Sequence, residues 1–285
     1  MKNNSIIYNI IGLILIFGCG NKDSHIVADL PFALREVSGM AYNAENETFW
    51  MVNDSGNDPL LFNLNAQGEI LKELEIDAKN KDWEDLTTDK EGNIYIGDFG
   101  NNKNKRKDLR ILKIKKKDLE KESEEIKPVK ISFEYPDQKK FPPKKGKRIY
   151  DCEAFFYLNG YLYLFTKSRL NKTSQVTKLY KIPAEKGHHK AEYLAEFDTC
   201  NRPECWVTSV DINNNEDTIA LLTGNSVFIF TNFNSDNFFD ADVKRLKFKH
   251  LSQKESVAFK NDSILYVADE NDGINGGYLY EYSIN

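Results

Sequence analysis

From Val37 onwards, short runs of β-branched and aromatic residues alternate with turns rich in Asn, Gly and Glu. The first set is VSGMAYN (37–43), FWMVND (49–54), PLLFNLN (59–65) and ILKELEI (70–76). Runs of this kind bounded by turn residues predict strands. The order recurs in WEDLTTD (83–89), NIYIGDFG (93–100), LRILKIK (109–115) and VKISFEY (129–135). It recurs again in CEAFFYLN (152–159), YLYLFTKS (161–168), KLYKIP (178–183) and EYLAEFD (192–198). A fourth set is TSVDIN (208–213), TIALLTG (218–224), VFIFTNF (227–233) and VKRLKFK (243–249). The fifth, ESVAFKN (255–261), ILYVADE (264–270) and GYLYEYS (277–283), lacks an outer strand. His25–Leu30 can supply it, which would latch the ring and leave no open sheet edge. The pattern predicts an all-β fold, a β-propeller of five four-stranded blades closed by an N-terminal strand. Each unit is roughly 53 residues, close to a usual blade. The alternative is six blades, the extra one hidden in 116–150, but that stretch is mostly charged and holds one clear strand. Helix is expected for at most one turn within Lys116–Glu125.

Composition fits this reading. Hydrophobic residues are 40% and aromatic residues 12% of 285, enough for a core, and mean hydropathy is −0.57. The net charge of −5 argues against a nucleic-acid partner. That charge is unevenly spread. Residues 103–117 carry nine basic residues and one acid, and 139–148 carry six basic residues and none. A basic side on an acidic body is expected. It would be either a docking patch for anionic lipid, polysaccharide or phosphorylated substrate, or solvated lysines on long loops.

The first 18 residues read as an export signal: Lys2, then the apolar run Ile10–Phe17, too short to span a bilayer comfortably. Ile16-Phe17-Gly18 followed by Cys19 resembles a bacterial lipobox, in which Cys19 would be lipidated. The chain then divides into a lipoprotein signal peptide (1–18), an anchor linker (19–24) and the propeller (25–285). The expected location is the outer membrane, lipid-anchored, on the periplasmic or surface side, with the membrane itself as one partner. Export places the remaining cysteines in an oxidising compartment. Cys200 and Cys205 bracket a loop short enough for a disulfide, whereas Cys152 reads as a buried free thiol. The four histidines (25, 188, 189, 250) are not arranged to complete a zinc site. His188 and His189 are expected in a loop between outer strands.

Aligning the first strands of the five units puts Ser38, Glu84, Glu153, Ser209 and Glu255 in equivalent places. The innermost strands of a propeller surround its channel, so three carboxylates and two hydroxyls would converge there. Like charges that close repel unless a cation lies between them. Calcium, or another divalent cation, is the candidate cofactor because it takes six to eight hard oxygen ligands. The alternative is solvated residues at the channel mouth. The second strands end in register at Asp54, Asp98, Lys167, Gly224 and Asp269, beside Asp85, Asp151 and Asp211.

DWEDL (82–86), NIYIGDFGNN (93–102) with Arg106, YPD (135–137), DCEAF (151–155) and TKSR (166–169) resemble a family of secreted bacterial propellers, loosely phytase-like, esterase-like or SdiA-regulated-like. The resemblance implies the propeller fold and export far more than an activity. Calcium on a propeller axis also occurs in phytases and calcium-activated nucleotidases, a likeness of fold alone. Neither G-x-S-x-G nor H-E-x-x-H is present in the sequence. Two functions are expected. One is a cell-envelope lipoprotein that binds a ligand or partner protein through its propeller. The other is a metal-dependent hydrolase of phosphate esters or lactones, with Asp98 or Asp151 as base and Lys167 with Arg169 holding an anion.

Overall fold

A computed structural model describes residues 24–121, 125–168, 175–200 and 202–285. The signal peptide, the lipidation candidate Cys19 and the anion-binding candidate Arg169 lie outside the described residues. The chain opens with β1 (His25–Asp29) and then forms blade one from β2 (Val37–Asn43), β3 (Thr48–Asn53), β4 (Leu60–Leu64) and β5 (Ile70–Glu75). Blade two is β6 (Trp83–Thr88), β7 (Ile94–Asp98), β8 (Arg110–Ile114) and β9 (Val129–Glu134). Blade three is β10 (Asp151–Leu158), β11 (Tyr161–Lys167) and β12 (Val176–Pro183), then β13 (Gly187–Lys190) and β14 (Glu192–Asp198). Blade four is β15 (Val207–Ile212), β16 (Thr218–Thr223), β17 (Ser226–Thr231) and β18 (Asp242–Lys247). Blade five is β19 (Lys254–Asn261), β20 (Ile264–Asp269) and β21 (Tyr278–Ser283).

Five separate sheets result, and β1 pairs antiparallel with β21 to complete the fifth. The ring therefore closes as the sequence pattern requires. The described residues form no sixth blade, because those of 116–150 contribute only β9, a helical turn at Lys116–Leu119 and a 3-10 turn at Lys145–Lys147. One element departs from expectation. His188 and His189 lie in β13, which leaves blade three and pairs parallel with β9 as a fifth strand of blade two.

The core sits between blades. Five clusters of buried side chains each draw on two neighbouring sheets. Phe99, Ile111 and Phe133 of blade two, for example, meet Phe155, Leu164 and Tyr180 of blade three. Fully burying each such side chain is worth about 1.5–3 kcal/mol. This explains the aromatic excess, since flat twisted sheets leave wedge-shaped gaps that large rings fill.

Strands alternate in direction, so the start of each first strand, the turn between strands two and three, and the links between blades share one face, here called upper. The two basic stretches consequently separate. Lys103–Lys107 and 139–148 lie in upper loops of blade two, whereas Lys113 to Lys117 follow β8 to the lower face.

Every first strand has a register break near its upper end, between Val37/Gly39, Trp83/Asp85, Cys152/Ala154, Val207/Ser209 and Lys254/Ser256. A β-bulge of this kind re-aims the extra residue. The bulged residues are Ser38, Glu84, Glu153, Thr208 and Glu255. The alignment needs one correction: Ser209 does not share this level. It falls one position deeper, with Gly39, Asp85, Ala154 and Ser256, because the bulge in blade four is centred on Thr208.

Candidate metal centre

The bulges place Ser38, Glu84 and Glu153 on three successive blades at the upper mouth of the channel. Carboxylate oxygens of Asp54, Asp82 and Glu84 come within 4.8 Å of one another. Asp54 follows β3, and Asp82 precedes β6. Asn80 brings the two together: its Nδ2 donates to Asn53 O (2.9 Å) and Asp54 O (2.8 Å), and its Oδ1 accepts from Trp83 N (3.1 Å). Gly100 N then donates to Asp82 O at 3.1 Å.

Gly100 makes room for the cluster. A Cβ at this position would lie 1.9 Å from Glu84 Oε1 and 2.6 Å from Asp82 Cγ. Only a glycine lets the two carboxylates lie flat against this backbone.

Burial and mutual repulsion raise the carboxyl pKa values here. Burial, then the Asp54 charge, pushes Asp82 up to about 6. Glu84 is driven well above the usual carboxylate range by burial, then by Glu153, Asp54, Asp151 and Asp82. Burial also raises Asp54. On the blade-five side of the mouth, burial and then Glu255 push Glu270 up to about 8. The mouth is short of positive charge, and that is the state a cation relieves.

The donor set fits calcium. Two oxygens on opposite sides of a calcium ion are about 4.8 Å apart, twice a bond of about 2.4 Å. The Ser38 hydroxyl, on a residue 4% exposed, has no hydrogen-bond partner, so the neighbouring bulge offers another hard oxygen. Of the three glutamates aligned in the sequence, Glu84 alone enters the tight group. Glu153 pairs with Lys167, Nζ to Oε2 at 2.7 Å, while its charge is the first of those acting on Glu84. Glu255 lies nearer Glu270, whose charge it opposes.

Beneath this level Asp85 is fully buried. Its Oδ1 accepts from Leu86 N (2.9 Å) and Ser209 Oγ (3.1 Å), and its Oδ2 accepts from Phe155 N (3.1 Å). Ser209 Oγ in turn accepts from Val257 N at 3.2 Å. Ser209 is thus a brace between blades rather than a hydroxyl of the mouth. Thr208 Oγ1 donates to Lys254 O at 2.8 Å, another interblade tie.

Residues 24–141 match the SdiA-regulated family model. The SdiA-regulated match takes in β1 and blades one and two, hence Asp54, Asp82, Glu84 and Gly100. DCEAF and TKSR, in blade three, lie beyond it. No curated protein matches the chain in sequence. Among solved structures, the PQQ-bound aldose sugar dehydrogenase of Streptomyces coelicolor is similar at 11% identity and a TM-score of 0.55, covering 92% of this chain and 98% of that one. A gluconolactonase from Xanthomonas campestris is similar at 9% identity and a TM-score of 0.48, covering 91% and 89%. At such identity the likeness to the dehydrogenase is one of fold alone.

Within the matched segment, GDFGNN builds an upper loop held by several hydrogen bonds. Asp98 is fully buried and each of its oxygens is paired with an arginine: Arg106 Nη2 reaches Oδ1 at 2.9 Å and Arg110 Nε reaches Oδ2 at 2.7 Å. Both pairings favour a structural role over that of a base. Arg106 Nη1 also donates to Gly100 O at 2.9 Å, holding the glycine against the carboxylates. Asn101 N donates to Asp151 Oδ1 at 2.7 Å, which fastens the loop to blade three. Asp151 is fully buried and adds its negative charge to the field at Glu84. Lys167 stands over the Trp206 ring at 5.7 Å, and the Cys200–Cys205 disulfide precedes that tryptophan. Cys152 is a buried free thiol, its pKa pushed up by burial.

The pattern of the sequence suggested Asp54 only as a strand end and Asp82 only through the DWEDL motif. The signal that could have joined them is Asn80, an amide placed to cap one loop and clasp another.

Proposed function

We propose that this protein is a cell-envelope lipoprotein whose propeller holds calcium at its upper mouth, on Asp54, Asp82 and Glu84, and binds ligand through that face. The carrying observation is the convergence of three carboxylates within 4.8 Å against a glycine that leaves them room. Calcium would add a Lewis-acidic, ligand-accepting position there. The protein's own groups hold and orient it: Arg106 fixes Gly100, and Asn80 fixes Asp54 beside Asp82. The Cys200–Cys205 disulfide supports an exported protein, since such bonds persist in oxidising compartments.

A second reading, a metal-dependent hydrolase of phosphate esters or lactones, is favoured by Lys167. Paired with Glu153, it adds a positive charge to that of Arg106 at the mouth, where it would hold a substrate anion beside the metal. Asp151 would then be the remaining base candidate, because Asp98 is committed to two arginines.

Melting curves in calcium and in EDTA, run beside a panel of phosphate and carboxylate esters and lactones, test both readings. The binding reading expects calcium to raise the melting temperature with no ester or lactone consumed. Calcium-dependent turnover, lost in Lys167→Met, would select the hydrolase. A melting temperature indifferent to calcium and EDTA would remove the metal from both.

A further inference from the structure

We propose that the cleft between the upper loops 99–109 and 134–150 of blade two is a binding site for an acidic saccharide. It is separate from the cation-binding mouth. The cleft encloses about 250 Å³. That is below the roughly 300–1,000 Å³ of pockets for drug-sized ligands and suits a single ring.

Its floor is apolar, made by the buried Leu109 and Phe133, and its outer wall is Phe141, 37% exposed. Lys107 Nζ stands 5.0 Å from the centre of the Phe141 ring. An aromatic wall of this kind stacks on the C–H face of a sugar ring. The cleft is preformed. Asn104, fully buried and with a left-handed φ of 51°, accepts from Gln138 Nε2 at its carbonyl (3.0 Å) and from Tyr150 N at its Oδ1 (3.0 Å). These bonds tie the two loops together.

Gln138 lines the cleft and is 6% exposed, yet its Oε1, itself closed to solvent, has no donor among the described residues. The Asn104 carbonyl fixes which end of the amide is nitrogen, so the orphan is an acceptor. A buried acceptor left unpaired costs about 1–3 kcal/mol, and a ligand hydroxyl would recover this if the side chain turns Oε1 toward the cleft. Lys107 lines the cleft with Arg106 and Glu134, and Lys103, Lys105, Lys139 and Lys140 follow on the same two loops; these five lysines are exposed and make no ion pair among the described residues. They would receive a carboxylate or phosphate.

An aromatic wall, an orphan acceptor and unpaired lysines together call for a ring that carries both hydroxyls and a negative charge. An inorganic anion would use only the lysines. A lipid surface would meet the lysines without entering the cleft.

The test is calorimetry on the full chain in EDTA, which takes the axial cation out of the measurement. The probes are oligogalacturonate and hexose phosphates, with neutral galactan oligomers, inorganic phosphate and phosphatidylglycerol vesicles as controls. An acidic sugar is expected to bind, with its affinity lowered about ten-fold or more by Phe141→Ala and by Lys107→Gln, and neutral oligomers are expected not to. Both substitutions fall on exposed side chains, so folding should survive, and an unchanged melting temperature will check this. The proposal is overturned if no acidic sugar binds, or if affinity survives both substitutions. It is also overturned if phosphate or vesicles bind as well as the sugars, which would reduce the loops to a plain electrostatic patch.

Discussion

Ser209 Oγ donates to Asp85 Oδ1 at 3.1 Å, joining blade four to blade two across the axis, one level beneath the acidic mouth. Asp85 also receives Phe155 N from blade three, and Ser209 receives Val257 N from blade five. One carboxylate and one hydroxyl therefore link four of the five blades. Burial holds the Asp85 carboxyl well above its ordinary range.

Removing Asp85 should strand three donors. Leaving a buried donor unsatisfied costs about 1–3 kcal/mol, so Asp85→Ala should lower unfolding free energy by about 3 kcal/mol or more. Asp85→Asn keeps one acceptor and the shape, and should cost clearly less. Urea unfolding of both variants measures this; equal losses would show that the carboxylate is not a brace.

Gly100→Ala should disable the mouth without touching a carboxylate. The new methyl would overlap Glu84 Oε1, so Glu84 must swing away. We expect calcium stabilisation to fall about ten-fold in apparent affinity while the propeller still folds, read from melting temperature against calcium concentration. An unaltered calcium response would mean that Glu84 does not need this position.

Cation-free protein should lose stability as pH rises. Asp82 is pushed up to about 6 and Glu270 to about 8, both above their unfolded values. Such groups hold protons more tightly when folded. Their contribution is therefore complete below the unfolded pKa and is lost as pH climbs through the folded one. The decline should run from about pH 4 to about pH 8 in EDTA and flatten in millimolar calcium. Urea midpoints across this window decide it; a rise with pH in EDTA would contradict the assignment.

Cys19→Ser should move the protein from the membrane fraction to the soluble fraction, seen by cell fractionation. Retention in membranes would refute the lipid anchor.

Much of the propeller was legible because strand and turn residues repeat with the blades: VSGMAYN, WEDLTTD and DCEAF each begin one. The aromatic excess forecast large interblade cores, and the closing role of His25–Asp29 followed from a blade short of one strand. The site was less legible. Strand alignment cannot show where a bulge falls, so Ser209 was placed beside Glu84 although Thr208 holds that level. Nor does spacing along the chain show which cation a glutamate prefers, and Glu153 pairs with Lys167. Asp54 and Asp82 sit on different blades, 28 residues apart, and meet only because Asn80 binds the loop between them. The parallel pairing of His188 and His189 with blade two had no local signal, since their strand borrows its partner from the preceding blade.

The most direct test is a calorimetric titration of calcium into chelator-treated protein at neutral pH. One calcium per chain is expected. Asp54→Asn should weaken it about ten-fold or more, Asp82→Asn with Glu84→Gln should abolish it, and Glu153→Gln should leave it largely intact. No calcium heat in the native protein, or binding that survives the Asp82→Asn, Glu84→Gln pair, would contradict a metal centre on these three carboxylates.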